Sequence, residues 1–215
     1  MNLEAFLTST TLVAVAEIGD KTQLLSFVLA AKLRRPYAIM AGILVATLAN
    51  HALAGSVGVW LASLVEPSTL NWIVGLSFIA FGLWTLRPDT LEGDPRVLGA
   101  GAFVTTTVAF FFAEMGDKTQ LATVALGARY DALGWVVLGT TLGMMIANVP
   151  AVIVGEALAH RIPMKTVRWI AAALFVAAGI ATLAGVGTDR IRPRPPQHPL
   201  ERSPATVPGV DPGRP

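Results

Sequence analysis

Two short stretches place ionisable groups where the chain around them is apolar. Glu17-Ile18-Gly19-Asp20-Lys21-Thr22-Gln23-Leu24 lies inside one apolar run and Glu114-Met115-Gly116-Asp117-Lys118-Thr119-Gln120-Leu121 inside another. A charge at the centre of a bilayer costs about 3 kcal/mol on insertion scales and more in simulations. Glu17, Asp20, Lys21, Glu114, Asp117 and Lys118 all sit at that depth, so they call for a use. On a continuous helix, Glu and Asp three apart share a face, and each run would present a carboxylate pair. Gly19 and Gly116, between the acids, let another backbone come close or mark a local break that frees carbonyl oxygens.

If the two runs cross at the midplane, four carboxylates and two lysines leave two negative charges, which one divalent cation would neutralise. Oxygen donors, no cysteine and no paired histidine suit a hard ion such as Mn²⁺, Ca²⁺ or Mg²⁺ rather than Zn²⁺ or Cu²⁺. Gln23, Gln120, Asn50 and Asn148 could add carbonyl oxygens. A carboxylate left in apolar surroundings is better neutral, so a Glu that takes a proton as metal departs would couple metal to proton movement. The blander reading makes Asp20–Lys21 and Asp117–Lys118 structural ion pairs, with Thr22 and Thr119 bonding back to their own helices. It leaves Glu17 and Glu114 without a base. His51 could relay protons, but Val149 holds its place in the second run, and a hydrogen-bonded helix histidine is the expectation. Glu156 is expected near a cytoplasmic helix end beside His160 and Arg161.

The elements that must hold these groups are membrane helices. Of 215 residues, 53% are hydrophobic and 14% charged, against about 25% charged in a soluble domain. Six apolar runs, 4–31, 36–64, 69–87, 97–128, 133–159 and 167–187, approach or exceed the ~20 residues a span needs. The first holds charged residues and lacks a basic leader, so it is expected to remain as a helix. Without cysteine there are no disulfides or thiolate sites. The basic residues sit in loops beside apolar runs and report topology, so no nucleic-acid partner is expected; the partners are the lipid bilayer and a divalent ion. From Thr188, a tail of Pro, Arg and small residues is expected to be disordered.

A shift of 97 superposes the two motifs with seven of eight positions identical. It also pairs Thr8 with Thr105, Gly42 with Gly139, Trp72 with Trp169, Phe78 with Phe175, Gly82 with Gly179 and Thr85 with Thr182; Asn50 meets Asn148 at a shift of 98. The predicted plan is an all-α membrane protein of six transmembrane helices in two inverted three-helix repeats, 1–87 and 97–187, with a linker at 88–96 and the tail at 188–215. An odd number of spans per copy inverts the second copy and puts a site near the midplane. Lys32, Arg34, Arg35, Arg87, Arg96, Arg161, Lys165 and Arg168 mark one side, against Arg129 on the other before the tail. Positive-inside topology then places the 88–96 loop in the cytoplasm and both termini outside.

A doubled E-x-G-D-K-T in the first and fourth of six spans resembles the GDT-type cation/proton exchangers, once called uncharacterised protein family sixteen and related to the lysine-exporter superfamily. The resemblance covers nearly the whole chain before residue 188. It implies export of Mn²⁺, or Ca²⁺ in some members, in exchange for protons across a plasma or Golgi-type membrane. It implies no resident cofactor. The family's metal-binding acids fall on Glu17, Asp20, Glu114 and Asp117; Gly19, Lys21, Thr22, Gln23, Asn50, Gly116, Lys118, Thr119, Gln120 and Asn148 are the supporting set. The absent leader and short central loop look like the compact bacterial members, which places the chain in the plasma (inner) membrane. Two other readings stand beside the exporter: an amino-acid exporter, which would want one positive and one negative subsite, and an intramembrane aspartyl hydrolase, whose dyad needs two Asp sharing a proton away from cations.

Overall fold

The computed structural model describes residues 2–88, 98–130, 132–154 and 163–185. Among them the chain is all-helical: α1 (Asn2–Glu17), α2 (Lys21–Leu33), α3 (Pro36–Leu64), α4 (Pro67–Thr85), α5 (Gly101–Glu114), α6 (Lys118–Arg129), α7 (Leu133–Val154) and α8 (Met164–Leu183). Pro36 and Pro67 open their helices, where a missing N–H and a preset φ suit the first turn. The tail, residues 89–96 of the predicted linker, and the Glu156, His160 and Arg161 cluster lie outside the described residues.

Helices α3, α4, α7 and α8 are each long and apolar enough to cross a membrane. Their outer faces carry exposed Leu44, Leu48, Leu53, Ile73, Leu76, Ile146, Ile153 and Ile180, side chains suited to hydrocarbon. All five tryptophans are exposed as well, as amphipathic rings at a membrane interface are.

The first and fourth apolar runs are not continuous helices. Each stops at its glutamate and restarts after its aspartate: α1 ends at Glu17 and α2 begins at Lys21, α5 ends at Glu114 and α6 begins at Lys118. The expectation that Glu and Asp share one face of one helix is therefore overturned, and the local break is the correct reading. Its cause is a tight turn. Asp20 N–H donates to Glu17 O and Asp117 N–H to Glu114 O, both at 3.1 Å. Met115 has φ −63 and ψ 119, and Gly116 follows at φ +77, the dihedrals of a type II turn. Gly19 occupies the equivalent place at φ +83, a region where side chains with a Cβ are strained.

The halves of each broken helix pack on a long helix of the other half of the chain: α1 and α2 on α7, α5 and α6 on α3, while α4 lies along α8. Two apolar clusters result. One joins Leu12 and Ala16 of α1, Val74 and Phe78 of α4, Leu126 of α6 and Phe175 of α8. The other joins Leu25 and Leu29 of α2, Ile39 and Ile43 of α3, Phe110 of α5 and Met144 of α7, without α4 or α8. Glycines allow the close contacts that membrane helices rely on. A Cβ on Gly139 would stand 2.6 Å from Phe6 O, and one on Gly42 would stand 2.9 Å from Phe103 O. Gly42→Ala and Gly139→Ala are each expected to cost about 1–3 kcal/mol through overpacking, read as a lower thermal midpoint in detergent. A midpoint unchanged in both would refute this contact.

Candidate metal centre

The two turns aim their acids at one another. Because each helix is interrupted between Glu and Asp, the glutamate hangs from a helix C-terminus and the aspartate sits at the next N-cap. Asp20 (φ −83, ψ 169) and Asp117 (φ −78, ψ 162) make no side-chain bond to their own helix starts, although Asp is among the favoured capping residues. Each motif's glutamine instead braces the turn ahead of the helix. Gln23 Oε1 accepts the Gly19 N–H at 2.9 Å, and Gln120 Oε1 accepts the Gly116 N–H at 2.7 Å. The aspartate carboxylates face lysines of the other half of the chain.

Three of the four predicted acids converge. One oxygen from each of Glu17, Glu114 and Asp117 lies within 4.8 Å of the others, and all three residues are buried. Two oxygens on one hard cation of calcium size are at most about 5 Å apart, so the trio has the dimensions to share an ion. Glu17 is oriented by hydroxyls: Thr22 Oγ1 donates to its Oε2 at 2.6 Å, and Thr119 Oγ1, from the other motif, donates to its Oε1. The two threonines thus do not bond back to their own helices. Glu114 is different, since neither of its carboxylate oxygens has a hydrogen-bond partner although the residue is fully buried. A buried carboxylate with no partner is expensive, and a place beside two other acids is one that a cation or a proton would suit.

Asp20 stands outside the trio, on Lys118; both side chains are buried. Lys21 Nζ reaches Asp117 Oδ1 at 2.8 Å. The ion pairs are therefore exchanged between the motifs, not formed between sequence neighbours as the blander reading had them. Each aspartate bears a lysine, which removes the shared proton that an aspartyl hydrolase requires.

The four amides lie next to this cluster with their oxygens engaged inside the chain. Gln23 Nε2 donates to Ala147 O at 2.9 Å, Gln120 Nε2 donates to Asn50 Oδ1, and Asn50 Nδ2 donates to Phe111 O at 3.1 Å. Asn148 Oδ1 accepts Ser26 Oγ at 2.7 Å. Each amide ties a broken helix to the long helix beside it. Ser26 was missed in the sequence, though the shift of 97 pairs it with Thr123, a hydroxyl on a hydroxyl at membrane depth. His51 corrects an expectation: it is fully buried, and neither ring nitrogen has a hydrogen-bond partner.

The profile of a family described as divalent cation/proton antiporter GDT1 matches residues 5–93 and 102–189, one motif in each segment. The chain belongs to the GDT1 family. Its relatives include a protein of Vibrio cholerae named "Putative manganese exporter", 51% identical over 175 residues that make up 81% of this chain and 88% of that protein. A GDT1-like protein of Synechocystis is 32% identical over 195 residues, 80% of this chain and 93% of its own. GDT1-like protein 4 of Arabidopsis thaliana is 30% identical over 219 residues, 83% and 94% of the two chains. No solved structure matches the chain. GDT1 membership makes the protein a membrane transporter of divalent cations, and its buried carboxylate cluster is of a kind with that cargo.

Proposed function

We propose that this chain exports a divalent cation, Mn²⁺ foremost and Ca²⁺ as a second cargo, in exchange for protons across the plasma membrane. The observation that carries the reading is the buried trio of Glu17, Glu114 and Asp117, with both Glu114 oxygens unpartnered. Asp20, the fourth predicted acid, is paired with Lys118 and is not one of the three. The relative named for manganese export supports Mn²⁺ as the first candidate.

In this reading α1–α2 and α5–α6 each make one broken span. With α3, α4, α7 and α8 they give six spans in two inverted repeats, 1–87 and 97–187, joined by the 88–96 linker. The exchanged packing of each broken helix on the other half's long helix favours that plan. With positive loops inside, both termini lie outside and the ends of α2 and α3 around Arg34 and Arg35 face the cytoplasm. The cluster containing α4 and α8 then belongs to the outer side, and the cluster without them to the cytoplasmic side. Metal enters, is held by the three carboxylates, and leaves outward; each proton then taken by a glutamate replaces one of the two positive charges lost.

The test is flux through the purified protein in proteoliposomes with an imposed pH gradient and an internal pH dye. Mn²⁺ and Ca²⁺ are expected to move with an opposing proton flux, and free lysine is not. Lysine transport without metal transport would replace this reading with the amino-acid exporter. Metal movement that left the pH gradient untouched would end the proton-exchange half of it.

A further inference from the structure

The two motifs match in sequence and backbone, yet their lysines are not equivalent. Lys118 is 5% exposed and sits on Asp20, an acid outside the converging trio; Lys21 is 25% exposed and sits on Asp117, an acid inside it. We infer that Lys21 is a tethered cation opposing the transported metal on Asp117, and that it sets how loosely the site holds its ion. This inference rests on the proposed site.

The Lys21 ammonium lies 2.8 Å from Asp117 Oδ1, while Asp117 Oδ2 has no hydrogen-bond partner. A metal that takes Asp117 as ligand must either displace the ammonium from Oδ1 or settle a few ångströms from it. Both raise the energy of the metal-bound stage, because like charges in a low-dielectric surround repel strongly. With no metal bound, the same ammonium answers part of the charge of the three acids. A transport site must bind well enough to load and weakly enough to release, and a cation on a flexible stem supplies the second condition. Lys21 is a quarter exposed, whereas Lys118 is enclosed. A merely structural Lys21 would act with the opposite sign, since its loss would loosen the site.

The test uses the full chain in detergent, with Mn²⁺ alone as the probe, by calorimetric titration and by flux in proteoliposomes. Lys21→Met is expected to bind Mn²⁺ about tenfold more tightly, or more, which corresponds to about 1.4 kcal/mol. Its maximal flux is expected to fall because release slows. Lys21→Arg should keep wild-type affinity. If Lys21→Met does not fold, Lys21→Gln carries the same expected sign. Affinity unchanged or weakened in folded Lys21→Met, or in folded Lys21→Gln, overturns the inference. Glu114→Gln separates the two levels: if it still binds Mn²⁺ like wild type, the site itself is wrong. If it loses binding while Lys21→Met fails to tighten it, only the role of Lys21 falls.

Discussion

Glu114→Gln is expected to reduce Mn²⁺ flux in proteoliposomes by about 100-fold or more while leaving the protein as stable as wild type, or more so. The two effects have opposite signs for one reason. Both oxygens of Glu114 are buried without a hydrogen-bond partner, beside Glu17 and Asp117. Glutamine keeps the shape and removes the charge, so the fold is relieved of an uncompensated carboxylate, whose burial is costly. The ion, however, loses one of three anionic ligands. Disturbing groups one shell further out already costs about 10–100-fold in metal affinity, so a ligand should cost at least the upper end of that range. Glu17→Gln is expected to match it in flux but not in stability, because Glu17 accepts hydroxyls from Thr22 and Thr119 on its two oxygens. Near-normal Mn²⁺ flux in Glu114→Gln would remove this acid from the transport pathway.

Lys118→Met carries the second large effect, this time on folding. Its ammonium answers Asp20, and both side chains are buried. Removing one partner of a buried ion pair typically costs about 3–5 kcal/mol, whereas replacing both by apolar or neutral groups is often close to neutral. The single variant should therefore lose on the order of 10 °C in thermal midpoint, and Asp20→Asn combined with Lys118→Met should regain most of it. The chain's five tryptophans serve as the fluorescence probe in detergent, and there is no cysteine to complicate the scan. A single variant melting with wild type would show that this pair does not hold the two motifs together. A double variant no better than the single would show that Asp20 needs more than the charge of Lys118.

Much of this protein is written in local order. A run of apolar residues must become helix in lipid because no water is there to satisfy its backbone; among the described residues the second, third, fifth and sixth predicted runs each hold one helix, and the first and fourth each hold two. The motif could be located for a similar reason: six charged residues at such depth demand an explanation whatever surrounds them. Where the reading failed, the missing information was directional. Three-residue spacing implies a shared face only while the helix continues, and the turn at Gly116, with φ +77, ends that condition. Thr22 and Thr119 had two acceptors within reach, a backbone carbonyl or an acid, and only packing chose Glu17. His51 looked destined for a partner because buried polar groups usually have one; its ring nitrogens have none.

Taken by itself, the order of residues determined the helical class, the doubled acidic motif, its oxygen donors without cysteine and the family resemblance, since each depends on composition, spacing or near-identity along the chain. Tertiary structure decided which acids meet, which lysine serves which aspartate, and why near-identical motifs are unequal. Asp117 joins Glu17 and Glu114 while Asp20 does not, and Lys21 is left more open than Lys118. Those are facts about two segments 97 residues apart along the chain. The charge on one is stabilised or opposed by groups on the other, across a gap that only the packing of both against α3 and α7 closes.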